Sequence, residues 1–174
     1  DILNMSLGWQ QSVVKNDSRT AWRLVMQNTL SAGVMTSVAA GNENHNVAGT
    51  IIVPAICPPP WLHPDQTEIG GRTSTVAVGA SSYGDVLASF SSAGPVTWQD
   101  IDPFYDYPLS HSIGLIRPDI LAPGESITSL SPTDNSGYNK MGGTSSSTPN
   151  LAGVMALLLS KKHDLMPEEM SRIL

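Results

Sequence analysis

The chain has 174 residues, enough for one globular domain that hides roughly two thirds of its unfolded surface. Hydrophobic residues make up 40% and charged residues 14%, which excludes a disordered tail, a coiled coil and a highly charged scaffold. Nine Lys and Arg against fifteen Asp and Glu give a formal net charge of −6 with no basic stripe, which argues against a nucleic-acid partner.

Taken in chain order, Ile2-Leu3-Asn4-Met5-Ser6-Leu7 alternates as a strand and stops at Gly8. Asn16-Asp17-Ser18 supplies cap chemistry for a helix predicted over 20–30, where Ala21, Leu24, Val25 and Asn28 recur at helical spacing. Gly33 is placed to end that helix. The nearly all-apolar run 34–40 suits a parallel strand covered on both faces. Strand, helix and strand together predict a βαβ unit with a right-handed crossover. Further strands are predicted over 51–53 and 75–80. Between them Cys57-Pro58-Pro59-Pro60-Trp61 must be extended, because consecutive prolines exclude a helix interior.

The stretch 95–118, with Trp98, Phe104, Tyr105 and Tyr107, reads as an insertion. Its aromatics are expected to pack at the surface, with contact to substrate or a neighbouring domain as the alternative. Ile120-Leu121-Ala122-Pro123-Gly124 closes another strand with a turn. Over 145–161 the apolar residues Leu151, Val154, Met155, Leu157 and Leu158 are spread nearly all round a helix, a distribution that predicts burial. Met166-Pro167-Glu168-Glu169 opens a last helix with Pro and acids in its first turn. No apolar run approaches the roughly 18 residues that cross a bilayer, so no membrane partner is expected. Cys57, the single cysteine, cannot form an internal disulfide. The predicted fold class is α/β, three-layered, with a mostly parallel twisted sheet and helices on both faces. One domain, incomplete at both ends, accounts for the whole chain.

The strongest local chemistry lies in Gly142-Gly143-Thr144-Ser145-Ser146-Ser147-Thr148-Pro149, immediately before the apolar helix. A serine at a helix N-terminus places its hydroxyl beside backbone N–H groups that no helical carbonyl uses. Those donors can stabilise an oxyanion formed when the hydroxyl attacks a carbonyl. Glycines just before it allow a substrate backbone to approach closely, and Pro149 is expected in the first turn, where a missing N–H is tolerated. Asn42, in Ala39-Ala40-Gly41-Asn42-Glu43-Asn44, follows an apolar strand at the end where α/β sheets bind ligands. Its amide could add a donor to the same oxyanion. Read singly, the two segments could equally be a Ser/Thr-rich helix cap and a Gly-Asn turn.

Together with Asn4-Met5-Ser6-Leu7-Gly8, these segments resemble the subtilisin-like serine proteases, in the family's order and over nearly the whole chain. So do Leu87-Ala88-Ser89-Phe90-Ser91-Ser92-Ala93-Gly94-Pro95 and Arg117-Pro118-Asp119-Ile120-Leu121-Ala122-Pro123-Gly124. The resemblance implies a partial subtilisin-like fold, with residues 1–174 forming the C-terminal part of a catalytic domain and 95–118 an insertion. It implies that Ser145 is the nucleophile, that Asn42 donates to the oxyanion, and that Ser6, Leu7, Gly8, Ala39, Ala40, Gly41 and Thr144 bind a protein or peptide substrate. It requires no cofactor, although the family often holds structural calcium, for which Asp100, Asp102 and Asp106 are the candidates. Family habit implies a secreted or cell-envelope protein.

The family's triad runs Asp, His, Ser, and the segments that carry the Asp and the His are not among these residues. His45, His63, His111 and His163 lie in polar loops or beyond a helix. The isolated chain is therefore expected to hydrolyse peptides poorly and to self-associate through surface that the missing strands would cover. Asn150 stands where many family members have His, and Ser146-Ser147 where Met-Ala is commoner. Two further readings remain open. One is a non-catalytic pseudo-protease scaffold or binding domain. The other is a sedolisin-like Ser-Glu-Asp acid peptidase, a class that places an acid where this chain has Asn42.

Overall fold

The computed structural model describes residues 1–64, 66 and 70–174. Four strands, β1 (Ile2–Met5), β2 (Met35–Ala39), β3 (Thr75–Ser81) and β4 (Ile120–Pro123), form one sheet in the order β1-β2-β3-β4, with every pairing parallel. All residues of β2 and β3 are buried. That burial explains their apolar or small composition: a strand covered on both faces has no solvent side for charge.

Successive side chains on these strands divide between two cores, as the period-two geometry of a strand demands. Val38 and Ala77 join Met26 of helix α1 (Asn16–Ser31), whereas Met35, Val76 and Val78 join Leu151 and Met155 of helix α2 (Thr144–Lys161). The two helices thus cover opposite faces of the sheet. Helix α3 (Pro167–Ile173) adds Met170 to the second core. The three-layer α/β arrangement is the one that the sequence predicts.

Helix α1 starts earlier than the cap-like residues suggest, with Lys15 as N-cap and Asp17 in the first turn. It ends as Gly33 predicts. The Gly33 N–H donates to the Leu30 carbonyl at 2.9 Å and the Val34 N–H to the Thr29 carbonyl at 3.1 Å, with Gly33 at φ +75°. That pair of bonds is a Schellman closure, which needs the left-handed backbone glycine adopts freely.

Two expectations are corrected, and one element is added. Ile51 and Val53 are buried and Ile52 is half-buried, but 51–53 form no strand; Val53 makes a single antiparallel bridge with Trp9, and Pro54 follows with no N–H to extend a ladder. Helix α2 is not buried all round: Leu151 and Met155 face the sheet, while Val154 and Leu157 are 47% and 70% exposed. A hairpin that the sequence reading missed, β5 (Ile127–Leu130) with β6 (Tyr138–Met141), leads directly into α2. Its signal was the turn closed by Asp134, whose carboxylate accepts the Ser136 N–H at 3.0 Å; Ile127-Thr128-Ser129-Leu130 itself lacks the alternation of a half-buried strand.

The 95–118 stretch also differs from expectation. Val96, Trp98, Ile101, Tyr107 and Leu115 are buried in the first core, and the Trp98 indole N–H donates to the Ile56 carbonyl at 3.0 Å. Arg23 of α1 fastens the segment. Its guanidinium is fully buried, pairs with both oxygens of Asp106 at 2.8 and 2.5 Å, and lies 3.9 Å from the Phe104 ring centroid and 4.6 Å from that of Trp98. A buried ion pair that loses one partner leaves an uncompensated charge. Asp106→Ala in the full-length protein is therefore expected to lower unfolding free energy by about 3–5 kcal/mol in urea titration. A loss below about 1 kcal/mol would show that the segment is not held this way.

Candidate active site

Strand β2 delivers its C-terminal end to a tight backbone turn. Ala40 is fully buried, its carbonyl accepts the Ile52 N–H at 2.9 Å, and Gly41 then takes φ +115°. A Cβ at Gly41 would lie 2.7 Å from Ser92 Oγ and 2.8 Å from Ile52 Cγ2, so only glycine fits. The turn presents Asn42 toward the start of α2. There Asn42 Oδ1 accepts two hydrogen bonds, from the Thr144 N–H at 2.9 Å and from Thr144 Oγ1 at 3.1 Å. Thr144 Oγ1 in turn accepts the Gly41 N–H at 3.1 Å. Because the oxygen is the acceptor in both bonds, the amide has one orientation, with Nδ2 left to donate elsewhere.

Helix α2 begins at Thr144, so Ser145 is its second residue and its N–H has no helical acceptor. Ser145 Oγ donates to the Ser6 carbonyl at 3.2 Å, and Ser6 Oγ donates to the Ser145 carbonyl at 2.9 Å. Ser37 Oγ, from β2, donates to the Thr148 carbonyl at 2.8 Å and ties the first turn of α2 to the sheet. Gly143 precedes the helix at φ +138°, where an added Cβ would lie 3.3 Å from Asn42 Nδ2. The approach to both Ser145 and the free amide donor is open because position 143 carries no side chain.

These groups line one cleft of about 310 Å³, bounded by Ser6, Leu7, Gly8, Gln10, Ala39, Gly41, Asn42, Glu43, Ile52, Thr144 and Ser145. Of the residues singled out from sequence, Ser145, Asn42, Ser6, Leu7, Gly8, Ala39, Gly41 and Thr144 are thus brought together, while Ala40 is not among the lining residues. Ala40 belongs to the first core instead, a consequence of strand alternation that turns its neighbours Ala39 and Gly41 toward the cleft. Thr144 has no exposed surface and meets the cleft as the anchor of Asn42. Pro149 also differs from expectation, standing sixth in α2 and past the first turn.

Sequence reading missed Gln10, Glu43 and Ile52 as cleft residues. Glu43 was legible as the neighbour of Asn42; Ile52 comes from a loop held against Ala40 and had no local signal. Glu43 is the one ionisable side chain in the lining. Cys57, the single thiol of the sequence, is fully buried, and burial pushes its pKa up to about 12, so it offers no thiolate. The His45 ring bonds the Ala88 carbonyl and His111 the Ser110 hydroxyl, both away from Ser145. The three acids considered for calcium do not converge. Asp106 is taken by Arg23, Asp102 accepts the Tyr105 hydroxyl, and among the described residues no three His, Cys, Asp or Glu side chains form a cluster.

A helix-start serine and an amide donor in one cleft restrict the chemistry, and the family model described as the Subtilase family matches residues 1–174. The chain belongs to the subtilase family. This subtilase chain is 32% identical over 193 residues to Serine protease AprX of Bacillus subtilis (strain 168), covering 100% of the chain and 37% of that protein. It is 29% identical over 173 residues to the Extracellular serine proteinase of Thermus sp. (strain Rt41A), covering 99% of the chain and 31% of that protein. A crystal structure of a cold adapted subtilisin-like serine proteinase superposes with TM-score 0.64 at 30% identity, covering 98% of this chain and 45% of that one. The subtilase chain spans about a third of the length of these curated relatives.

Proposed function

We propose that these residues carry the nucleophile and the oxyanion site of a serine endopeptidase. Ser145 Oγ attacks the carbonyl carbon of a peptide bond, and its proton passes to a histidine supplied by sequence outside these 174 residues. The negative oxygen that develops is received by Asn42 Nδ2 and the Ser145 N–H. The C–N bond then breaks as the protonated amine leaves. A water molecule hydrolyses the acyl group on Ser145, returning the hydroxyl. The observation that carries the reading is the double acceptance by Asn42 Oδ1 from Thr144, which frees Nδ2 as a donor in the cleft that Ser145 lines.

An acidic peptidase of the sedolisin type has less support, because position 42 holds an amide and its oxygen is engaged as an acceptor. A scaffold without catalysis needs neither the open Gly143 approach nor a donor left unspent. The name of the Thermus relative supports export as the setting for this activity.

The test is covalent labelling. The full-length protein is expected to react stoichiometrically with a fluorophosphonate, with the adduct mapped to Ser145 by mass spectrometry. The 174-residue chain alone, with no base to take the proton, is expected to react far more slowly. Absence of labelling in the full-length protein would favour the scaffold reading.

A further inference from the structure

Pro149 and Ser6 are linked through the backbone hydrogen bonds of α2. In an α-helix the N–H of residue 149 would close on the carbonyl of residue 145. Pro149 has no N–H, so it removes that bond inside α2, and the carbonyl it deprives belongs to Ser145 itself. The deprived carbonyl is not left open: Ser6 Oγ, from the chain just after β1, donates to it at 2.9 Å. Asn4 Nδ2 donates to Ser6 Oγ at 3.2 Å, which occupies a lone pair of the hydroxyl and turns its proton toward Ser145. The Ser145 side chain completes the loop by donating to the Ser6 carbonyl.

We infer that Ser6 is a positioning residue for Ser145, its hydroxyl replacing from a separate segment the helical bond that Pro149 deletes. The consequence is mechanical. An ordinary helix would hold the Ser145 carbonyl from within α2, whereas here the residue is tied to the segment that follows β1. The placement of Ser145 relative to the end of β1 is thereby set. A preorganised nucleophile gains rate because small misplacements of a reacting group are costly. Asn4 acts one step further out, by orienting the Ser6 hydroxyl.

This inference rests on the reading of Ser145 as nucleophile, and a double-mutant cycle in the full-length protein separates the two. Ser6→Ala is expected to lower kcat about tenfold, roughly 1.4 kcal/mol, with a smaller change in KM. In a Pro149→Ala background, where residue 149 regains an N–H for the Ser145 carbonyl, the same Ser6→Ala change is expected to lower kcat less than about twofold. Thermal unfolding of the four proteins should show the same pattern, with Ser6→Ala lowering the midpoint only when Pro149 is present. Equal loss of kcat in both backgrounds overturns the positioning role, even if the unfolding midpoints are coupled, since that result leaves Ser6 as a structural cap. Hydrolysis that survives Ser145→Ala, or is absent from every variant, overturns instead the nucleophile reading on which the inference stands.

Discussion

Replacing Ser145 by alanine in the full-length protein is expected to lower kcat by about 10⁶-fold with little change in KM. The hydroxyl stands in the first turn of α2, on the cleft, and donates to the Ser6 carbonyl. Its loss removes covalent catalysis altogether. What remains is the oxyanion site and substrate binding, which sustain about 10³–10⁴ over the uncatalysed rate in such enzymes. Because the Thr144 bonds to Asn42 do not involve the Ser145 side chain, the donor should keep its orientation in the variant. Steady-state kinetics on a peptide substrate decide the matter. A variant that retains a tenth of wild-type kcat would assign the chemistry to another residue.

The second large effect belongs to Asn42. Asn42→Ala is expected to lower kcat by about 10²–10³, again with KM little changed, the loss that follows removal of the corresponding amide donor in subtilisin. Alanine alone leaves an ambiguity, because it also strips the Thr144 N–H and hydroxyl of their shared acceptor. Asn42→Asp resolves it. Aspartate keeps an oxygen for Thr144 but replaces the donor with a second acceptor, and at neutral pH it sets a negative charge where the oxyanion forms. If Asn42 stabilises that charge, the aspartate variant falls at least as far as alanine. If Asn42 merely anchors the start of α2, aspartate should work nearly as well as asparagine, and the measured kcat would show it.

Much of the layout was readable in the residues alone. The nearly all-apolar run 34–40 announced a strand covered on both faces, and every residue of β2 is buried. Gly33 announced the end of α1, and the Gly-Gly-Thr-Ser segment announced a serine at a helix start. These signals are local: each depends on backbone preference or burial periodicity within a few residues, which a single segment expresses by itself. The same locality explains the failures. Residues 51–53 have strand composition but no neighbour beyond one bridge, and the all-round apolarity of α2 says nothing about how many sides are covered. The aromatics of 95–118 looked superficial because nothing nearby in sequence marks Arg23 as their buried partner, 83 residues from Asp106.

Residue types and their order, then, were enough to determine the class of fold, the family resemblance and the two residues expected at the reacting centre. The tertiary structure alone decided how those residues face one another. Asn42 and Thr144 are 102 positions apart, and Ser6 and Ser145 are 139 apart, yet their hydrogen bonds set which end of the amide is free and what holds Ser145 in the cleft. A side-chain amide has no preferred end until an acceptor or donor is placed beside it, and a helical carbonyl deprived by proline has no partner until another segment arrives. Both are satisfied only when the sheet packs against α2, so no stretch of the chain specifies either of them by itself.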